Sequence, residues 1–210
     1  MANPWLGIPL ADYEAHMAAV RQLGVLSDLF AEALMVRRPA SVAVLGVAGG
    51  NGLERIESGL TRRVVGIDLH PDYLEAVRQR FPDLPGLELH CIDLAHDVAR
   101  IAPADLVHVA LILEHVAAEP GGLERCLENA VSLVAADGAL SVVLQLASSD
   151  EQQVGPSGIA SVQRLKDHFC LIPPLRLRDL LEERGLEPVW ETQRAQPSGK
   201  SFWMGIFLRA

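Results

Sequence analysis

The sequence predicts an α/β fold on a doubly wound, mostly parallel sheet, and three features carry that prediction. Short β-branched runs alternate with amphipathic helical stretches, the runs end in glycine or an acidic residue, and the last 25 residues form two extended runs about a polar turn. The strand, turn, helix unit recurs four times, which calls for right-handed crossovers and places a ligand crevice outside the carboxyl ends of the strands.

Leu10 to Val36 is helical in pattern, with a weak point at Leu23-Gly24, and Tyr13 and His16 stand about one turn apart on its first part. Val42 to Leu45 then makes a short strand that stops in a segment holding Gly46, Gly49, Gly50 and Gly52, where the backbone must turn sharply and let a ligand approach. Leu53 to Ser58 reads as a short helix and Arg63 to Asp68 as the next strand, with Asp68 at its carboxyl end. A carboxylate there suits the ribose hydroxyls of a nucleoside ligand. Pro71 opens a helix through Tyr73, Leu74, Val77 and Phe81. Leu87 to Asp93 is a third strand ending in an acid, and Asp97 to Ile101 a poor helix.

Asp105 to Leu113 is too continuously apolar to have a wet face and reads as a central strand, followed by Glu114-His115-Val116. Gly122 to Leu133 is an amphipathic helix, Asp137-Gly138 a turn, and Ala139 to Leu146 a strand. Ala147 to Pro156 reads as a loop able to move over the crevice. Val162 to Cys170 and Leu175 to Arg184 read as helices, and Leu186 to Ala195 and Ser201 to Arg209 as an antiparallel hairpin about Pro197-Ser198-Gly199-Lys200.

At 210 residues, half of them apolar, the chain suits one domain with a full core. Its 27 acidic residues against 18 basic ones give a net charge of -9, which argues against nucleic acid as a partner. No signal peptide or membrane span is visible, so a cytoplasmic location is expected. Cys91, Cys126 and Cys170 have no metal or disulfide spacing, and no metal site is expected.

The Gly-rich stretch resembles the first motif of class I S-adenosylmethionine-dependent methyltransferases of the small-molecule type, over about residues 10 to 210. That motif reads acidic-x-Gly-x-Gly-x-Gly, with Val44 at the acidic position and Gly46, Ala48 and Gly50 at the glycines. The dinucleotide fingerprint fails at the same turn, where Ala48 and Asn51 replace its second and third glycines. The resemblance implies a three-layer Rossmann-like fold with a seven-stranded, mostly parallel sheet and a C-terminal antiparallel hairpin. It implies S-adenosylmethionine as cofactor, bound by Gly46, Val47, Ala48, Gly50, Asp68, Leu69, Asp93, Leu94 and Ala110. It also implies a helical cap over residues 1–38, a methyltransferase domain over 39–210, and a small-molecule methyl acceptor.

Methyl transfer requires alignment, exclusion of water and sometimes a base, so no one side chain has to be present. His115, His16 and Glu114 are the candidates for that base, and Tyr13, His16 and His115 for contact with the acceptor. Val44 and Ala48 leave open a non-catalytic cofactor-binding or interaction module, with Phe202 and Trp203 as a docking surface if they are exposed.

Overall fold

Strands that are apolar on both faces must be covered on both, and helices cover this sheet on each side. The computed structural model describes residues 3–147, 157–196 and 199–209. Its strands are β1 (Ser41–Leu45), β2 (Arg63–Asp68), β3 (Leu87–Cys91), β4 (Ala104–Ala110), β5 (Val134–Gln145), β6 (Leu186–Ala195) and β7 (Ser201–Arg209). They form a seven-stranded sheet in the order β3-β2-β1-β4-β5-β7-β6. Strands β1 to β5 pair in parallel, and β7 runs antiparallel between β5 and β6. The helices are α1 (Leu10–Ala19), α2 (Gln22–Arg37), α3 (Pro71–Arg80), α4 (Leu113–Val116), α5 (Gly122–Ser132), α6 (Ala160–Gln163) and α7 (Pro174–Glu182). Tighter 3₁₀ turns occur at Pro4–Gly7, Leu53–Arg55 and Arg164–His168. Among the described residues, no helix is long and apolar enough to cross a membrane.

Strand alternation divides the core in two. Ala43, Leu45, Val65, Ile67, Val107 and Val109 face α5 and α7, with Leu127, Leu177 and Leu181 packed on them. Val42, Val44, Val64 and Leu106 face α2 and α3, against Leu29, Phe30, Ala33 and Val77. Helix α2 is therefore part of the sandwich, whereas α1 lies over the strand ends. Phe202 and Trp203 on β7 are buried, one on each face, so they offer no docking surface.

The chain departs from the expected elements where local geometry overrides the pattern. The break between the first helices falls at Arg21, which adopts a left-handed conformation, rather than at Leu23-Gly24. The helix expected at Leu53 to Ser58 is a single 3₁₀ turn, because Ile56 is extended. Strand β3 stops at Cys91, leaving Asp93 beyond its end. Asp97 to Ile101 forms no helix: Asn129 of α5 instead donates to the Leu94 and Asp97 carbonyls and accepts from the Ala99 amide. Strand β4 ends at Ala110 because Leu111 has φ +58°, and α4 begins at Leu113. Asp137-Gly138 is not a turn that precedes the strand but an irregularity within β5, between the pairs Ala104 with Val134 and Leu106 with Ala139. The segment expected as one helix at Val162 to Cys170 is α6 followed by a 3₁₀ turn. The loop expected at Ala147 to Pro156 falls, but for Ala147, outside the described residues, as do residues 197–198 of the expected turn.

Candidate functional site

Strand order reverses between β1 and β4, and the carboxyl ends of these strands open a crevice at that switch point. The chain leaves β1 through Gly46 at φ +72°, where an added Cβ would come within 3.2 Å of Ile112 Cδ1. The Gly46 and Val47 amides both donate to the Ile67 carbonyl, at 2.8 and 3.0 Å, which folds the loop across the end of β2. Ala48 follows with φ +46°, a left-handed conformation that costs an L-residue about 1 to 2 kcal/mol. Its amide donates to Asp68 Oδ2 at 2.8 Å, and the His70 amide donates to Asp68 Oδ1 at 2.9 Å. Burial pushes the Asp68 carboxyl above the usual carboxylate range, and these amide bonds pull it back. A carboxylate has about four lone-pair sites, so two donors leave acceptor capacity facing the crevice.

One continuous pocket extends from this loop. Asp68 and Leu69 at the end of β2, Ile92, Asp93 and Leu94 after β3, Gly46 and Ala48 after β1, and Ala110 and Leu111 at the end of β4 line it, and Trp5, Tyr13, His16 and Met17 of the N-terminal segment roof it. Asp93 Oδ1 accepts from the Ala95 amide at 3.0 Å and its Oδ2 lies 3.4 Å from Asn3 Nδ2, which ties the N-terminal segment to the residues after β3.

His115, on the one-turn α4, also lines the pocket and stands between two rings set edge-on, with centroids at 4.7 Å for Trp5 and 4.9 Å for Phe169. Its Nδ1 lies 3.0 Å from the His168 carbonyl. A carbonyl only accepts, so Nδ1 carries the proton and Nε2 the lone pair. Burial lowers the His115 pKa to about 4, and the ring is neutral at physiological pH. His16 is also buried, with Nδ1 2.7 Å from Ser157 Oγ, and burial with the nearby Lys200 charge lowers its pKa. Burial first, then the Asp68 charge, raises the Tyr13 phenol, which stays a protonated donor.

The roof is pinned on both sides. Tyr73 of α3 donates its hydroxyl to the Ile8 carbonyl at 2.9 Å, and Arg80 pairs with Glu14 of α1 while donating to the Gly49 carbonyl at 3.0 Å. On the opposite side Ser161 donates to Asp12 at 2.6 Å.

Of the residues read as site candidates, Gly46, Ala48, Asp68, Leu69, Asp93, Leu94, Ala110, Tyr13, His16 and His115 line the pocket. Three do not. Val47 is buried with its side chain against Gly66, because the Gly46 turn swings position 47 into the core. Gly50 faces Phe81, whose ring would lie 2.6 Å from an added Cβ, so this glycine serves packing and its φ of +87°. Glu114 is fully buried on the far side of α4, where Oε1 accepts from the Gln145 amide at 2.8 Å and Oε2 meets no partner among the described residues. Burial raises its pKa to about 7. Trp5, Gln22, His168, Phe169 and Lys200 complete the pocket without belonging to any motif, because distant segments bring them there.

No protein-family model and no curated protein matches the sequence. The fold does match solved structures. The N-methyltransferase NodS from Bradyrhizobium japonicum WM9, in complex with S-adenosyl-L-homocysteine, aligns with a TM-score of 0.64 and 18% identity, covering 94% of this chain and 86% of that one. An O-methyltransferase family protein from Burkholderia thailandensis aligns at 0.69 and 20%, covering 95% of this chain and 60% of that one. The [4+2]-cyclase SpnF aligns at 0.64 and 13%, covering 88% and 79%. The likeness is one of fold, and the names of these three proteins show it carrying more than one kind of reaction. In strand order, in its reversed β7 and in these alignments, the chain has a class I S-adenosylmethionine-dependent methyltransferase-like fold.

Proposed function

We propose that this chain transfers a methyl group from S-adenosylmethionine to an oxygen or nitrogen of a small or medium organic acceptor. The observation that carries the reading is that one pocket is lined both by Gly46, Ala48 and Asp68 and by His115. The residues present fit the cofactor. The backbone at Gly46 is bare, Asp68 retains acceptor capacity for ribose hydroxyls, and Ile92 and Leu94 offer apolar surface beside Asp93 for a base. When bound, the cofactor supplies an electrophilic methyl group on a sulfonium.

The protein's own part is to orient, to keep water out and to hold a proton. Trp5 and Phe169 wall the acceptor end, and the bond from Nδ1 to the His168 carbonyl aims the His115 ring. His115 Nε2 takes the acceptor's proton. With a pKa near 4 it is a weak base, suited to an acceptor that sheds its proton in step with methyl transfer. His16 and Tyr13 position the acceptor from the roof. Within residues 1–38 it is α1 that acts as the cap, on a cofactor-binding domain of residues 39–210 that α2 packs against, in the cytoplasm, with no nucleic-acid or membrane partner.

The test is incubation with methyl-labelled S-adenosylmethionine and a panel of small phenols, amines, carboxylic acids and thiols. Transfer of label to an oxygen or nitrogen acceptor is the expected result. Cofactor binding without transfer to any of them would replace the enzyme with a cofactor-binding module.

A further inference from the structure

The pocket carries a hydrophobic cluster that belongs to neither face of the sheet. Ile8, Val162 and Leu165 form its buried part, Trp5 and Tyr13 pack against it, and all of these but Ile8 line the pocket. Rings extend it. Phe169 meets His115 at 4.9 Å, His115 meets Trp5 at 4.7 Å and Trp5 meets Tyr13 at 5.9 Å, with interplanar angles of 73°, 87° and 66°. Three separate stretches of the chain thus build one aromatic wall, and rings set edge-on to one another leave faces and edges that a further aromatic ring can meet in the same geometry.

The hydrogen-bonding groups of this wall carry no charge. Burial keeps the His115 ring and the neighbouring His16 ring neutral and the Tyr13 phenol protonated. His115 Nδ1 is taken by the His168 carbonyl, so Nε2 is the acceptor that the ring offers. Among the described residues, the charged side chains of the lining are Asp68, Asp93, Glu119 and Lys200. Each is engaged by the protein itself. Amides hold Asp68 and Asp93, His96 Nε2 lies 3.4 Å from Glu119 Oε2, and the Lys200 ammonium donates to Gln145 Oε1 at 3.4 Å. Three carboxylates against one ammonium disfavour an anion, and Lys200, whose charge reaches His16, disfavours a cation under the roof. A charged acceptor would lose its hydration against these rings for no ion pair in return.

We propose that the acceptor is an uncharged aromatic compound bearing a hydroxyl, its ring lying on the wall of Trp5, Tyr13, His115 and Phe169 and its hydroxyl donating to His115 Nε2. The inference rests on the methyl-transfer reading and names the substrate class for it. A lone pair of the phenol oxygen forms the new bond to the methyl carbon as the carbon–sulfur bond breaks toward sulfur, which becomes a neutral thioether, and the hydroxyl proton passes to Nε2. An alkylammonium, with a pKa of about 10 like that of lysine, has no lone pair to offer, and His115 is too weak a base to free one.

Calorimetric titration with S-adenosylhomocysteine comes first and reports on the cofactor reading alone; no binding would overturn that reading and this inference with it. The loaded full chain is then titrated, by ligand-observed NMR, with 4-ethylphenol, 4-hydroxyphenylacetate, tyramine and 4-ethylcyclohexanol. The first three share a phenol and differ in charge, and the last keeps the outline of 4-ethylphenol without its aromatic faces. The expected result is that 4-ethylphenol binds at least roughly tenfold more tightly than the anion and the ammonium, and roughly threefold to tenfold more tightly than the cyclohexanol. Trp5→Leu, with its melting temperature as the check on folding, should bring the ratio of 4-ethylphenol to 4-ethylcyclohexanol affinity close to one. Equal or tighter binding of 4-hydroxyphenylacetate or tyramine overturns the inference, as does failure of 4-ethylphenol to bind a chain that binds S-adenosylhomocysteine. An unchanged ratio in folded Trp5→Leu overturns the placement of the ring, and the ligand series on the parent stands whether or not the variant folds.

Discussion

Replacing Glu114 with glutamine separates a buried structural acid from a catalytic one. The carboxyl is fully buried, with Oε1 held by the Gln145 amide and Oε2 unpartnered among the described residues. Burial raises its pKa from 4.5 to about 7. The folded state therefore holds this proton more tightly than the unfolded state does. The contribution to stability is fully present below about pH 4.5 and is lost as the pH rises through about 7, where burying the carboxylate becomes costly. A difference of between two and three units corresponds to about 3 kcal/mol. Glutamine has the shape of the protonated acid and cannot ionise, so Glu114→Gln removes the penalty. In urea denaturation at fixed ionic strength, the difference in stability between variant and parent should grow in favour of the variant by about 3 kcal/mol from pH 4.5 to pH 8. A difference that stays flat over this range would refute the burial argument. Loss of methyl transfer in the folded variant would return Glu114 to the active site.

The other predictions concern the loop and the base. Ala48→Gly relieves a left-handed alanine worth about 1 to 2 kcal/mol against a glycine entropy cost of about 0.5 to 1, so the net gain is up to about 1.5 kcal/mol, or a rise of a few degrees in melting temperature. A fall in melting temperature would mean that φ at Ala48 is not positive in solution. His115→Gln should lower kcat by roughly a hundredfold or more, with KM little changed, if Nε2 accepts a proton. With the ring titrating at about 4, the parent's activity should be flat across pH 6 to 7. An inflection near 6.5 that disappears in the variant would show His115 in water rather than in the cleft.

The sheet was legible because its signals are local. β-Branched runs that stop at Gly46 and Asp68 identify strand ends whatever lies around them, and β6 and β7 were read as an antiparallel hairpin from their two extended runs. What escaped depends on partners far along the chain. Asn129 supplies bonds to Leu94, Asp97 and Ala99 from 30 to 35 residues away, and so removes the need for a helix there. The apolar run at Asp105 to Leu113 gives no warning that Leu111 turns left-handed, since leucine is a poor residue for that conformation. At the site, Asp68 and the glycine loop were readable from motif spacing, whereas Val47 and Gly50 showed how a glycine loop divides its residues between ligand and core. Trp5 and Phe169 flank His115 from opposite parts of the sequence, and no spacing could have paired them. Glu114 and His115 are adjacent, and only the one-turn α4 sends one into the core and the other into the pocket.

The central claim is that the loop held by Asp68 binds S-adenosylmethionine, and calorimetry with S-adenosylhomocysteine on the parent and Asp68→Ala tests it most directly. Removing the carboxylate deletes charged hydrogen bonds worth about 1.5 to 3 kcal/mol in binding, so affinity should fall roughly ten- to a hundredfold while the variant still melts cooperatively. Saturable binding by the parent with that loss in the variant is the predicted result. No binding by the parent, or equal affinity in both proteins, would contradict it.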